Sequence, residues 1–220
     1  MKAALGQKAP LLAVSEWVQG GPVNFDQLLG QVVLVEVFQV NCPGCFLYAL
    51  PEAIEWHERY SEQGLTVLGL ATAFEDFDKN NLENLRLLAA TGAVIGATFD
   101  ALNERCALHD GKLSYRIPFP LAMDKVTRRE KAAINEQDIE KFVEARITDF
   151  SRQPSAYQQK VRQAVREYLQ ALEYHPETFE RFDLKGTPSH ILIDKQGILR
   201  QYAFGNAPEL ETQLQELLAE

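Results

Sequence analysis

The sequence is poor in cysteine and lacks the long apolar runs and the basic excess that mark several large classes of protein. Three of its 220 residues are cysteine, too few for a small scaffold held together by disulfides. No apolar run reaches the roughly 18 residues of a membrane-spanning helix. Acidic residues outnumber basic ones by 31 to 22, and the net charge of −9 argues against nucleic-acid binding.

The composition is otherwise that of an ordinary globular protein, with 46% hydrophobic and 24% charged residues. At 220 residues the chain is long enough for one large domain, or for one domain that carries an insertion. The N-terminus has no continuous apolar stretch of the kind that a secretory signal needs, so the sequence predicts a cytoplasmic location. In a reducing cytoplasm, cysteines close together in sequence are more often catalytic or metal-binding than structural.

Two apolar runs and the segment between them predict the centre of an α/β fold. Residues 31–39 are nearly all apolar and rich in β-branched side chains, which is typical of a strand buried on both faces. Residues 42–60 have the apolar spacing of a helix, with a kink expected at Pro51 because proline lacks a backbone N–H. Residues 65–71 form a second buried strand, and this strand–helix–strand unit predicts a parallel pair.

The rest of the chain continues to alternate between helices and strands. The patterns predict helices at 81–91 and 99–108, a short proline-interrupted strand near a sheet edge within 115–124, a hairpin over 186–204 and a final helix from about Pro208. Between residue 125 and the hairpin, apolar side chains at helical spacing predict two or three amphipathic helices.

Cys42 and Cys45 carry the clearest chemistry, because they stand where the first buried strand is expected to turn into a helix. The first turn of a helix presents unpaired amide N–H groups and a partial positive charge, and both favour a thiolate. The two-residue spacer allows the sulfur atoms to form a disulfide. Cys42, nearer the exposed helix end, is the predicted nucleophile, and Cys45 is the thiol predicted to resolve a mixed disulfide.

The order of motifs along the chain resembles the thioredoxin superfamily. A Cys-x-x-Cys follows a strand, Thr187-Pro188 opens a later strand, and Ile193-Asp194 leads into a hairpin. The likeness is to the TlpA-like and redoxin-like branch, in which an N-terminal extension precedes the first buried strand. The resemblance implies a thioredoxin-like three-layer α/β sandwich with a central mixed sheet.

This resemblance covers about residues 1–124 and 184–220, so 125–183 is interpreted as a helical insertion into a single domain over 1–220. The insertion has two interpretations. Its helices either cover the sheet or form a dimer contact, or they act as a lid that narrows access to Cys42 and selects substrates.

Matching positions to the family implies further site residues. Cys42 and Cys45 take the roles of nucleophile and resolving thiol. Pro188 matches the cis-proline that faces the disulfide, and the backbone of Thr187 matches the segment that pairs with a bound peptide. Glu36, six residues before Cys42, stands where thioredoxins carry a buried acid. A carboxyl group buried there should have a raised pKa and take the proton from Cys45.

The sequence departs from the family pattern in two places. Pro51 is six residues after Cys45, whereas the proline that kinks the family's helix is at five, so the start of this helix should differ. The active-site loop residues Pro43 and Gly44 include no histidine to stabilise the thiolate, which favours a disulfide reductase over an oxidant.

Several of these residues also have plainer interpretations. In the plainer interpretation, Cys42 and Cys45 are a pair of core cysteines without a redox role. A zinc site is disfavoured, because zinc needs four ligands and the sequence has no second cysteine pair. The sequence indicates no other metal and no cofactor. Cys106, on a helical pattern, is expected to be buried and unreactive, with a third redox cysteine as the alternative. The plainer interpretation of Glu36 is an exposed strand residue. His190 is expected to be a strand residue rather than an acid–base group.

The sequence therefore predicts a thiol-disulfide oxidoreductase that acts as a disulfide reductase. Its substrate would be a disulfide-containing protein or small molecule, and a thiol or reductase system would recycle it; neither nucleic acid nor a membrane is an expected partner. A thiol peroxidase is one alternative, but those enzymes need Thr or Ser three residues before the nucleophile, where this chain has Gln39. A binding module that uses the same fold without catalysis is the other.

Overall fold

A computed structural model describes residues 2–129, 135–144, 146–171 and 173–220. The strands are β1 (Val14–Gln19), β2 (Val32–Phe38), β3 (Leu65–Ala71), β4 (Leu108–His109), β5 (Lys112–Leu113), β6 (Leu121–Asp124), β7 (Val126–Arg128), β8 (Tyr174–Pro176), β9 (Ser189–Ile193) and β10 (Leu199–Phe204). The helices are α1 (Leu50–Tyr60), α2 (Leu82–Thr91), α3 (Gly96–Glu104), α4 (Glu136–Glu144), α5 (Ser155–Ala171), α6 (Glu177–Arg181) and α7 (Leu210–Ala219).

Six strands form one mixed sheet in the order β1-β6-β3-β2-β9-β10. Strands β2, β3 and β6 are parallel, whereas β1, β9 and β10 run antiparallel to their neighbours. All seven residues of β2 are buried, so the predicted strand buried on both faces is confirmed. The predicted parallel pairing of the first two apolar runs and the predicted hairpin of β9 and β10 are confirmed as well.

Side chains alternate along β2 and divide the core of the sheet into two layers. Leu34 and Phe38 pack into a cluster with apolar side chains of α1 and α7. Val35 and Val37 face the other way and pack into a second cluster that contains Phe182. The sheet is therefore covered on both sides, and the fold is the three-layer α/β sandwich that the sequence predicted.

The outer part of the sheet differs from the prediction. Strand β6 begins directly after Pro120, because Pro118 and Pro120 lack the N–H groups that a longer strand would need. It lies next to the edge strand β1, so the predicted place near a sheet edge is confirmed, whereas the edge strand itself was not predicted. Strand β1 was missed because its residues are partly exposed and its sequence mixes polar and apolar side chains.

The chain divides into two compact units, which are described separately. Met1–Val126 and Pro176–Glu220 form the first unit, and Thr127–His175 forms the second. In the second unit α4 and α5 pack together around an apolar cluster, in agreement with the amphipathic helices predicted there. Residues 130–134, 145 and 172 of the predicted insertion lie outside the described residues. The interpretation of 125–183 as an insertion into one domain stays a prediction.

Gly69 on β3 leaves no room for a side chain. An added methyl group would overlap Cδ2 of Leu121 and lie 3.2 Å from Phe119 and 3.5 Å from Phe38. Because these neighbours are buried, we expect Gly69→Ala to lower the free energy of unfolding by about 1–3 kcal/mol. Urea denaturation measures the change as a lower midpoint.

Gly21→Ala is the matched control, because no atom lies within 4 Å of a methyl group added there. The control should unfold at the midpoint of the unchanged protein or slightly above it. Equal midpoints for the two variants would contradict the close packing at Gly69.

Candidate active site

Cys42 and Cys45 lie beyond the end of β2, where the chain turns into a helix. A disulfide joins them, with their Cα atoms 5.4 Å apart. Cys42 is half-buried at the surface, whereas Cys45 is 0% exposed. This difference suits an attacking sulfur that a substrate can reach and a second sulfur that reacts only after the first.

The backbone around Cys42 favours a thiolate at this position. The amide N–H of Cys45 is shared between the carbonyl oxygen of Cys42, 3.1 Å from the nitrogen, and Sγ of Cys42, at 3.3 Å. Pro43 and Gly44 already have helical conformation, so this amide belongs to the first turn of the helix. When the disulfide is reduced, a hydrogen bond from this N–H stabilises the charged form of the Cys42 sulfur.

A π-helical turn over Cys45–Ala49 connects the disulfide to α1. The turn is one residue wider than an α-helical turn, and it takes up the extra residue that the sequence has before Pro51. Because Pro51 has no N–H, the carbonyl group of Phe46 accepts a hydrogen bond from the hydroxyl of Tyr115 instead, at 2.9 Å. Burial raises the pKa of Tyr115, so this hydroxyl keeps its proton. The wide turn lies just before Pro51, and the kink at this proline stays a prediction.

The loop that precedes β9 faces Cys42. The peptide bond between Thr187 and Pro188 is cis, as the family match implied. The carbonyl oxygen of Thr187 lies 3.6 Å from Sγ of Cys42, and a Cβ added to Gly44 would lie 3.9 Å from Cδ of Pro188. The structure therefore brings the active-site loop and the Thr187–Pro188 loop together around one sulfur. Their roles in catalysis stay predictions.

Gln39 is a site residue whose contact the sequence did not reveal. Its side chain is 2% exposed, and its Oε1 accepts a hydrogen bond from the hydroxyl of Thr187 at 3.2 Å. Gln39 thereby fixes the Thr187 side chain beside the disulfide. In the sequence it was visible only as a mismatch to the peroxidases, because nothing local indicates a contact 148 residues away along the chain.

Glu36 is buried in β2, on the face of the sheet whose core cluster contains Cys45, and contacts His190 on the neighbouring strand β9. Oε2 of Glu36 lies 2.6 Å from Nδ1 of His190, and Nε2 of His190 lies 3.0 Å from the carbonyl oxygen of Gly205. Burial raises the pKa of Glu36, although the charge and hydrogen bond of His190 act to lower it. The exposed position considered for Glu36 is therefore wrong. His190 is a strand residue as expected, but its contact with Glu36 was missed.

Cys106 is neither buried nor on a helix, which corrects the expectation for this residue. Helix α3 ends at Glu104, and Cys106 is exposed with a φ of 53°. The N–H of Ala107 donates to the carbonyl of Leu102, and the N–H of Cys106 donates to that of Asn103. These two bonds form a Schellman motif, which closes the helix two residues before Cys106.

Two broader features of the described residues bear on function. None of their His, Cys, Asp and Glu side chains form a group of three or more that could hold a metal ion. Within the same ranges, no helix is both long enough and apolar enough to cross a membrane.

Solved structures with the same architecture include proteins of thiol-disulfide chemistry. A thiol-disulfide isomerase from Corynebacterium glutamicum has a TM-score of 0.58 and 28% sequence identity, over 96% of this chain and 97% of that one. A thioredoxin-like superfamily protein has the same TM-score of 0.58 at 24% identity, over 97% of both chains. A putative thiol:disulfide interchange protein DsbE from Chlorobium tepidum, at 16% identity and a TM-score of 0.50, is similar in fold alone.

Sequence comparison finds a shorter match. Protein DipZ of Mycobacterium bovis is 29% identical over 77 residues, which are 34% of this chain, and so is that of Mycobacterium tuberculosis. The match spans 11% of the length of these curated relatives. No family model matches the chain. With a Cys-x-x-Cys disulfide after a buried strand, a cis-proline loop beside it and these structural neighbours, the chain belongs to the thioredoxin superfamily.

Proposed function

We propose that the protein is a thiol-disulfide oxidoreductase that acts as a disulfide reductase. The observation that carries the proposal is the pairing of a half-exposed Cys42 with a fully buried Cys45, at a helix start and opposite Pro188. The similarity to the thiol-disulfide isomerase from C. glutamicum supports the same class of chemistry.

The reaction begins on the reduced protein. The Cys42 thiolate attacks one sulfur of a substrate disulfide, so that the substrate S–S bond breaks and a mixed disulfide forms. The released substrate sulfur takes up a proton from solvent. Cys45 then gives its proton to Glu36 and attacks Sγ of Cys42, which expels the second substrate thiolate. The substrate gains two electrons, and the protein loses two as it forms the Cys42–Cys45 disulfide.

The Thr187–Pro188 loop supplies the substrate-binding surface in this proposal. The Thr187 carbonyl lies close enough to Sγ of Cys42 that an extended peptide carrying the attacked sulfur can hydrogen-bond to this backbone. The hydrogen bond between Thr187 and Gln39 holds this loop in position for different substrates. We therefore propose a disulfide-containing protein or small molecule as substrate, with a thiol or a reductase system as the recycling partner.

The spacer residues support the direction of electron flow. Pro43 and Gly44 add neither a positive charge nor a side-chain donor beside Cys42, so the reduced form is less stabilised than in strongly oxidising relatives. A reducing compartment keeps the Cys42–Cys45 pair in its reduced, active form, and we propose the cytoplasm on this ground. The strand β1 before β2 supports an assignment to the TlpA-like and redoxin-like branch.

A redox titration of the Cys42–Cys45 pair tests the proposal. The protein is equilibrated in dithiothreitol or glutathione buffers, its free thiols are alkylated, and the mass shift gives the reduced fraction. We expect a reversible couple near about −270 to −230 mV. A value near about −180 mV would mark an isomerase and one near about −120 mV an oxidant. If no disulfide forms at any potential, the redox function is refuted and the binding module takes its place.

A further inference from the structure

We propose that Glu36 and His190 share one proton beneath the active site, and that His190 is the positioning residue that keeps Glu36 able to accept the proton of Cys45. The inference rests on the proposed function, because it concerns the second step of that reaction. It assigns a task to a histidine that lies 154 residues from Glu36 along the chain.

The hydrogen-bond partners determine which protons the His190 ring carries. The carbonyl oxygen of Gly205 can only accept, so Nε2 carries a proton and donates it over 3.0 Å. The short contact of 2.6 Å between Nδ1 and Oε2 of Glu36 then requires one further proton. That proton lies either on the ring, opposite a carboxylate, or on the carboxyl group, opposite a neutral ring.

Both side chains are isolated from solvent, with His190 2% and Glu36 0% exposed. Burial acts to lower the pKa of His190, but the charge and hydrogen bond of Glu36 outweigh it and the pKa is raised. Burial raises the pKa of Glu36. Both directions favour retention of the shared proton.

The other charged groups around the pair are carboxylates. Glu52 on α1 acts on both Glu36 and His190. Burial and then the negative charges of Glu211 on α7 and Glu55 on α1 raise the pKa of Glu52 itself, while His190 lowers it. Glu211 and Glu55 both pair with Arg59, so it is the negative charge of Glu52 that favours retention of the proton shared by Glu36 and His190.

One carboxylate oxygen of Glu36 remains without a hydrogen-bond partner among the described residues. Glu36 lies on the same face of β2 as Leu34 and Phe38, which pack in the cluster that contains Cys45. Oε2 is occupied by His190, whereas Oε1 has no hydrogen-bond partner among the described residues. Oε1 is therefore the atom that takes the Cys45 proton.

The histidine also connects the buried acid to the substrate-binding loop. Nε2 donates to the carbonyl of Gly205, and the N–H of Gly205 donates to the carbonyl of Pro188 at 2.9 Å. A continuous set of hydrogen bonds thus runs from Oε2 of Glu36 to the residue that faces Cys42. His190 therefore holds the carboxyl group of Glu36 in position and also places a positive charge beside it.

The chemistry gives His190 a measurable effect. Without an imidazole, the buried carboxyl group of Glu36 holds a proton of its own at neutral pH and cannot take one from Cys45. The attack of Cys45 then waits for ionisation of Glu36 at higher pH. Each unit by which this pKa rises costs about tenfold in rate at pH 7.

The test uses 5,5′-dithiobis(2-nitrobenzoate), whose release of thionitrobenzoate is followed by absorbance. The first equivalent reports attack by Cys42 and depends on reagent concentration; the second reports attack by Cys45 and does not. All proteins carry Cys106→Ser, because Cys106 is exposed and would react itself. We expect His190→Asn to slow the second phase about tenfold or more at pH 7 and to move its pH midpoint upward. The first phase should change less than about twofold.

Glu36→Gln provides the matched variant. It should slow the second phase at every pH, and adding His190→Asn to it should slow the phase no further, because both changes remove one acceptor. A second phase with unchanged rate and pH profile in His190→Asn would overturn the inference. Loss of the second phase in the parent protein would instead refute the resolving role of Cys45, and with it the proposed function.

A measurement on the parent protein keeps the inference testable if the variants fold poorly. Ring nitrogen shifts of ¹⁵N-labelled histidine should show Nε2 of His190 protonated throughout and an Nδ1 shift that differs between the reduced and the oxidised protein. The exposed His109 serves as the internal reference. A His190 ring that titrates near the free value of about 6.5, identically in both redox states, would overturn the shared proton.

Discussion

We expect Cys42→Ser to abolish disulfide reduction, with a loss of at least about a thousandfold in rate. In the proposed reaction the sulfur of Cys42 forms the bond to substrate, and it lies at the helix start with an amide N–H directed at it. A serine hydroxyl stays protonated at neutral pH and forms no stable bond to sulfur. The rate is measured by precipitation of reduced insulin, with dithiothreitol as the recycling thiol.

Cys106→Ser is the matched control for this variant. Cys106 is a free, exposed cysteine in the left-handed position of the Schellman motif of α3, so its replacement should leave the rate unchanged. Retention of the parent rate by Cys42→Ser would refute the oxidoreductase function. A comparable loss in Cys106→Ser would show that the third cysteine takes part, and thermal melting of both variants excludes unfolding as the cause.

Much of this site could be predicted because its parts leave local marks in the sequence. A strand buried on both faces needs an apolar run, and residues 31–39 have one. The start of the helix is marked by the end of that run and by the change to helical spacing. The hairpin of β9 and β10 is marked by the turn at Gly197, whose φ of 78° suits glycine. These marks place Cys42 at the end of a central strand without any knowledge of long-range contacts.

Features that depend on long-range contacts left no such mark. The pairing of Glu36 with His190 exists because β2 and β9 are neighbours in one register, and a shift of one residue would put the two side chains on opposite faces of the sheet. The hydrogen bond from Thr187 to Gln39 depends on the same register. Strand β1 is held in place by its pairing with β6. Its own sequence of polar and apolar residues does not indicate a strand.

Two local features were missed for a different reason. Helix ends of the Schellman type are usually recognised by glycine in the left-handed position. Here Cys106 occupies that position, so no glycine in the sequence marks the end of α3. The π-helical turn accommodates the one extra residue between Cys45 and Pro51. The sequence shows that this residue is present. It does not show whether that residue enters the loop or the helix.

Cys45→Ser is expected to stop the reaction after its first step. Cys42 still attacks the substrate, but no thiol remains at position 45 to expel the bound half, and the mixed disulfide accumulates from a trace to most of the protein. Cys45 is fully buried beside Cys42, so serine fits in its place with little change in packing. Intact-mass spectrometry after addition of a disulfide peptide measures the adduct, which dithiothreitol should release.

The site of this adduct decides the roles of the two cysteines. With Cys106→Ser as the background, the adduct should map to Cys42 and should be lost when Cys42 is also replaced by serine. If Cys45→Ser forms no more adduct than the parent protein, Cys45 is not the resolving thiol. If Cys42→Ser instead traps the substrate on Cys45, the roles are reversed, against the order that the exposed Cys42 and the buried Cys45 support.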